Sequence, residues 1–316
     1  MKAIQYDKYG GPDVLKYIDV PTPEPKDNEV LIKINYAGLN PVDWKIRDGI
    51  LQKAIPNKFP IIPGWDASGT VQSVGKAVSD LKVGDEVFTY CRKESLQDGT
   101  YAEFITCDAS VVAKKPKNTS FNQAASIPLV ALTCWQALFD IAKLKKGDVV
   151  LIQAGAGGVG SFAIQFAKWK GAFVITTTSA KNTDYVKKLG ADLIINYDKE
   201  NFAERIKKEY PQGIDIVFEM IGGETMQEAA RLLKKSGSLV SIVEPFSKEE
   251  AQKLGIRSEY CFVRPNGDQL REIAKLVEEN KIQLPPIEEM PLREAAKAQE
   301  KNKEGHTRGK IVLKVP

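Results

Sequence analysis

The sequence predicts an α/β protein of two units, and three observations carry that reading. Up to about Lys117 short β-prone runs alternate with Pro, Gly and Asp; from about Ser120 apolar strands alternate with amphipathic helices; a glycine-rich turn joins the first strand of that alternation to its first long helix. The length agrees, since 316 residues correspond to about two ordinary domains. In the first stretch the strand runs are residues 2–6, 30–37, 68–74, 86–90 and 101–106. Pro21, Pro23 and Pro25 fall between two of them and cannot sit in a central strand, because proline donates nothing to the ladder. Strands this short and this punctuated suit a compact, partly open β-barrel.

The second stretch contains six strand runs, at 148–153, 173–177, 193–196, 214–218, 238–242 and 258–262. Helical patterns at 159–170, 182–189, 202–209 and 225–234 separate them, as a doubly wound parallel six-stranded sheet requires. The apolar segment 126–142 contains Pro128, Gln136 and Asp140 and is too short to cross a bilayer, so it reads as a buried helix. After Pro265 come helices at 268–279 and 292–302 and a strand at 310–314. That tail is too small for a domain and is expected to return to the first unit. The expected division is therefore 1–120 plus 265–316 for the barrel and 121–264 for the parallel sheet.

Charge excludes several partner classes. Lys+Arg 45 against Asp+Glu 41 leaves +4, with no basic block of five or six residues, so neither nucleic acid nor a membrane surface is expected as a partner. The first residues hold no apolar signal segment, and Cys91, Cys107, Cys134 and Cys261 lie far apart without a C-x-x-C. Free thiols in a reducing, cytoplasmic setting are expected. His306 is the only histidine; with four scattered cysteines it makes no recognisable zinc set, so no metal is expected. It is read as a surface residue.

The run Gly155-Ala156-Gly157-Gly158-Val159-Gly160 fits G-x-G-x-x-G, follows the strand Val149-Val150-Leu151-Ile152 and opens a helix. In that setting Gly155 permits the tight turn, Gly157 lets the backbone approach a pyrophosphate, and Gly160 lets helix pack on strand. Where an NAD site would place an acid, the chain has Thr178, Ser179 and Lys181. Hydroxyls and a lysine suit a 2′-phosphate, which favours NADPH over NADH. The other reading is an N-cap serine and a solvated lysine, and Asp184 nearby would weaken the NADPH case if it faced the ribose.

Further segments carry a resemblance: residues 38–45 (Gly-Leu-Asn-Pro-Val-Asp-Trp-Lys), 63–69, 83–87, 147–168, 262–265 and 305–310. Across its length the chain resembles the medium-chain dehydrogenase/reductase superfamily, in its zinc-independent quinone oxidoreductase and enone (alkenal) reductase branch. The resemblance implies a GroES-like catalytic domain made from both chain ends and a Rossmann domain binding NADPH, with a small-molecule substrate in a cleft between them. Zinc-dependent members have a cysteine where Asn40 stands and Gly-His-Glu where this chain has Gly64-Trp65-Asp66. Quinone reductases of this type have a tyrosine at the position of Lys45, whereas enone reductases often keep lysine.

That shifts the expectation toward α,β-unsaturated carbonyls, with Lys45 as the oxyanion donor and Asn40 and Asp43 shaping its loop. The alternative for Lys45 is a surface lysine. By resemblance Thr133 faces the nicotinamide, Tyr197 lines the adenosine phosphate, and Val243, Phe262, Val263, Arg308 and Lys310 contact the cofactor. Relatives pair edge strands into dimers, so a homodimer through 258–262 is expected. Two other readings stay open: a non-catalytic NADPH-binding protein of crystallin-like or nucleic-acid-binding type, and an enoyl-thioester reductase.

Overall fold

The computed structural model describes residues 1–305 and 308–316, so the expectation for His306 lies outside the described residues. They form two compact units: Met1–Leu129 with Arg264–Asn280 and Leu284–Pro316, and Val130–Val263 with Lys281–Gln283.

The first unit opens with the antiparallel pair β1 (Lys2–Gln5) and β2 (Lys16–Asp19). Its main sheet begins with β3 (Glu29–Gly38), β4 (Asp66–Val74), β5 (Glu86–Tyr90), β6 (Phe104–Asp108) and β7 (Val112–Lys114). The backbone path runs β3-β4-β5-β7, and β6 pairs with the first half of β3. Val30, Ile32, Ile34, Val71, Val87 and Ile105 supply the core. Between β3 and β4 the chain forms α1 (Pro41–Arg47), in a segment that the sequence presents as a loop. α2 (Phe121–Ala125) also stays with this unit: Ser68 Oγ donates to the Phe121 carbonyl at 2.5 Å, and the Leu129 N–H donates to Asp66 Oδ1 at 3.0 Å. The junction thus falls after Leu129, not after residue 120.

The segment expected as one buried helix is α3 (Pro128–Trp135) followed by a π-helical turn, Gln136–Ile141. The parallel sheet then comprises β8 (Val149–Ile152), β9 (Phe173–Thr178), β10 (Leu193–Asn196), β11 (Ile214–Glu219), β12 (Leu233–Ser241) and β13 (Arg257–Tyr260). Its order, β10-β9-β8-β11-β12-β13, is the doubly wound arrangement the strand count predicts. The intervening helices are α4 (Gly158–Lys170), α5 (Thr183–Lys188), α6 (Phe202–Glu209), α7 (Gly223–Ala230) and α8 (Lys248–Leu254). α7 stops short of the predicted residue 234 because Leu233 already pairs with Ile214, ahead of a register shift in β12.

The tail returns as α9 (Gly267–Glu278), β14 (Ile287–Pro291), α10 (Ala295–Lys303) and β15 (Lys310–Lys314). β15 lies between β14 and β3, antiparallel to β3, and adds Ile311 and Leu313 to the first core. The path remains unclosed, as a partly open barrel requires. Lys281–Gln283 belong with the second unit because Gln165 and Gln283 exchange two hydrogen bonds, at 2.9 and 2.7 Å. Gly309 enters β15 at φ +80°, and a Cβ there would lie 2.1 Å from the Pro286 carbonyl oxygen. Gly309→Ala is expected to lower unfolding stability by about 2 kcal/mol or more in denaturant titration, combining left-handed strain with a backbone clash.

Candidate active site

In the second unit the turn after β8 divides its three fingerprint glycines by function. A Cβ on Gly155 would lie 2.2 Å from Thr176 Oγ1, and one on Gly160 would lie 2.4 Å from the Ala154 carbonyl oxygen. Both positions are closed by protein. At Gly157 the nearest atom would be 3.4 Å away, an ordinary contact, so this backbone remains approachable. One detail differs from expectation: the left-handed residue of the turn is Ala154, at φ +48°, not Gly155. Gly155 is needed for space. Gly157 is the N-cap of the thirteen-residue α4 and supplies no side-chain cap, so the first-turn N–H groups and the positive helix end stay available to an anion. This fits a dinucleotide pyrophosphate. Ala156 is buried, whereas Gly158 and Val159 are partly exposed with Gly157. Cys134 Sγ donates to the Val159 carbonyl at 3.1 Å, which sets α3, and within it the buried Thr133, against this turn.

At the carboxyl end of β9 the threonines are used differently from one another. Thr176 Oγ1 donates to the Ile152 carbonyl at 2.6 Å and Thr177 Oγ1 accepts from the Ala154 N–H at 3.2 Å, so both brace the glycine turn. Thr178 is buried. Ser179 is half-buried and makes no capping bond, its hydroxyl accepting instead from Asn182 Nδ2 at 3.3 Å. Lys181 is exposed, and so is Asp184. Tyr197 is 58% exposed, and its N–H donates to the Thr178 carbonyl at 3.3 Å. Ser179, Lys181 and Tyr197 therefore gather beyond neighbouring strand ends. Asp198 adds an acid here, Oδ2 lying 3.5 Å from the Ala180 N–H. Val243 follows β12, and Phe262 and Val263 follow β13; Phe262 is exposed and Val263 buried.

Sequence reasoning missed Glu219. It ends β11 fully buried, accepts from the Ile221 and Gly222 N–H groups at 2.6 and 3.0 Å, and receives the Gln153 amide in the orientation that pairs them. Burial pushes its carboxyl up. The signal is a carboxylate directly after the apolar run Ile216-Val217-Phe218.

In the first unit Asn40, Asp43 and Lys310 come together with Asp66 and Tyr101, all buried. Lys310 Nζ donates to the Leu39 carbonyl at 2.6 Å and to Asn40 Oδ1 at 2.5 Å; Asn40 Nδ2 donates to Asp66 Oδ2 at 2.9 Å. Asp43 Oδ2 accepts from the Asn40 N–H and the Tyr101 hydroxyl, each at 2.9 Å. Asn40 and Asp43 form a capping box at the start of α1, the loop-shaping role expected of them. Lys45 projects from that helix, half-buried, with its ammonium 5.7 Å from the Trp44 ring centre. Lys310 is drawn inward, with its ammonium committed to Leu39 and Asn40; Arg308, two residues earlier, is exposed. Burial pushes Asp43 up to about 6. It also pushes Asp66 up and Lys310 down, while their mutual attraction opposes both shifts.

Residues 26–117 match the alcohol dehydrogenase GroES-like domain and residues 189–313 the zinc-binding dehydrogenase family. The NADPH-dependent alkenal/one oxidoreductase of Arabidopsis thaliana chloroplasts is 37% identical over 99% of this chain and 79% of its own length. The chain belongs to the medium-chain dehydrogenase/reductase superfamily. Its backbone superposes on the quinone oxidoreductase of Coxiella burnetii with TM-score 0.89 and 38% identity, covering 100% and 99% of the two chains. For the Escherichia coli quinone oxidoreductase, solved as a complex with NADPH, the values are 0.90 and 28%, over 99% and 100%. Both lie in the quinone oxidoreductase branch of the superfamily.

The zinc in the second family's description does not fit this member. Asn40 donates to Asp66 and accepts from the Lys310 ammonium, Trp65 packs edge-on against Tyr90, and among the described residues no group of three or more His, Cys, Asp or Glu could hold a metal ion.

Two outcomes follow from this geometry. Gly157→Ala is expected to melt like the wild type and to lose about tenfold or more in NADPH affinity, whereas Gly160→Ala loses stability itself, as fluorescence titration and thermal melting would distinguish. Asp43, raised in the folded state, contributes stability below the ordinary carboxylate range that is lost as pH rises through about 6. Asp43→Asn does not titrate, so its melting temperature should gain on the wild type as pH rises from about 4 to about 6, the window of that shift.

Proposed function

We infer that this chain is an NADPH-dependent oxidoreductase that reduces quinones or the C=C bond of α,β-unsaturated carbonyls without a catalytic zinc. The observation that carries this reading is the Lys310-Asn40-Asp66 network: positions where zinc-dependent members carry ligands are consumed in a hydrogen-bonded cluster. The open backbone at Gly157, ahead of the uncapped α4, supports the dinucleotide. Ser179 and Lys181 support its 2′-phosphate form.

NADPH, when bound, supplies the hydride. Hydride addition at the β-carbon of an enone leaves charge on the carbonyl oxygen, and the Lys45 ammonium is the donor proposed to stabilise it. Water supplies the proton at the α-carbon. Thr133 and the exposed Phe262 shape the nicotinamide end, with Val243 and Val263 behind them; Tyr197 serves the adenosine end and Arg308 adds a cationic contact. Lys45, in place of the tyrosine of quinone reductases, favours enones and enals as the working substrates, in line with the Arabidopsis relative's name.

The working form proposed is a homodimer in a reducing cytosol. β13 is an edge strand of its sheet with Tyr260 and Phe262 exposed beside it, which suits strand pairing with a second copy. The four cysteines are buried and form no disulfide, which suits a reducing compartment. Among the described residues no helix is long and apolar enough to cross a membrane.

Chelator-treated protein should oxidise NADPH faster than NADH with an enone or a quinone as acceptor, and much more slowly with a crotonyl thioester. NADPH binding without turnover on any acceptor would instead support the non-catalytic reading. Lys45→Ala should lower kcat/KM on an enone by about tenfold or more. An unchanged value would remove Lys45 from the mechanism.

A further inference from the structure

Lys310 is 4% exposed, and its acceptors are the two residues that lead into α1. Asn40 takes the ammonium on its carbonyl oxygen and gives its amide nitrogen to Asp66. Only one orientation of that amide works, because the reverse would set NH2 against an ammonium and a carbonyl oxygen against a carboxylate. The Asn40 main-chain N–H then reaches Asp43 Oδ2 and closes the box from which α1 starts. Lys310 gets there through the sheet: β15 lies against β3, and the Leu39 N–H donates to the Ile311 carbonyl at 3.0 Å. An apolar side chain of similar volume would fill the same space without the loss of hydration that a buried ammonium suffers. What the ammonium adds is a fixed geometry at residues 39–43.

We propose that Lys310 is a positioning residue for the reduction: its ammonium locks the Leu39 carbonyl and the Asn40 amide, and through them the turn of α1 that presents Lys45. The kinetic part of this proposal rests on the function inferred above, while the structural part does not.

The test compares wild type, Lys310→Met, Asp66→Asn and the double variant Asp66→Asn/Lys310→Met. The double variant removes the carboxylate that a lost ammonium would leave uncompensated, so it reports even where Lys310→Met fails to fold. Three quantities are measured: NADPH affinity, amide hydrogen exchange in peptides spanning 39–47, and enone turnover per NADPH-binding site. Losing the ammonium should leave NADPH affinity within about threefold, speed exchange at 39–47 by about tenfold with β8–β13 unchanged, and cut turnover per site about tenfold or more, relative to the parent with Lys310. Turnover counted per NADPH-binding molecule is not lowered by a loss of folded protein, so a merely structural role would leave it unmoved. Unchanged exchange at 39–47, or turnover per site within about twofold of the parent, overturns the proposal. If wild-type protein reduces neither enone nor quinone, the functional reading fails, and the exchange data alone still decide whether Lys310 holds the segment.

Discussion

Charge taken out of water must be paired where it lands, and the first unit depends on that constraint. An unpaired buried ion costs several kcal/mol, so Lys310 is tolerable only beside Leu39, Asn40 and the Asp66 carboxylate. Arg47 repeats the arrangement at the other end of α1: it is fully buried and donates to Gln299 Oε1 at 2.9 Å and Glu300 Oε1 at 2.8 Å on α10. Both ends of α1 are thus held by residues from the last fifty or so of the chain, which is why the tail has to return. The β15 insertion beside β3 is the structural form of that requirement.

In the second unit the governing constraint is closeness. Gly155 and Gly160 bring strand, turn and helix nearer than any Cβ would allow, and Thr176 and Thr177 tie β9 to the same turn. With those contacts made inside the protein, Gly157 and the start of α4 are left for an anion. Glu219 does comparable work one strand over, holding the Ile221-Gly222 backbone and Gln153 at the sheet's carboxyl edge.

How much was legible depended on whether an element is apolar. Strands β8 to β11 are legible to within a residue or so because each carries at least three consecutive apolar residues, as strands of a covered parallel sheet do. β2, Lys-Tyr-Ile-Asp with every residue exposed, and β14, Ile-Glu-Glu-Met-Pro, carry no such run and were not predicted. The start of β12 was read as helix because its first residues, Leu-Lys-Lys-Ser, are mostly polar and exposed. At the site, the close packing at Gly160 is legible from the motif, whereas the left-handed turn falls on Ala154 and not on Gly155; the capping box of Asn40 and Asp43 agrees with the loop-shaping part that the resemblance implies. The inward turn of Lys310 was not, since an Arg-Gly-Lys before a strand looks the same whether the lysine faces solvent or core, and only the β15-β3 pairing decides.

The central claim is reduction of a conjugated C=C bond by NADPH without a metal, and the fate of the hydride tests it most directly. Chelator-treated protein is given an enone and NADPH carrying deuterium at the transferable position, and the product is examined by NMR. Deuterium is expected on the β-carbon and a solvent proton on the α-carbon, in a saturated ketone. Deuterium on the carbonyl carbon, in an allylic alcohol, would contradict the claim.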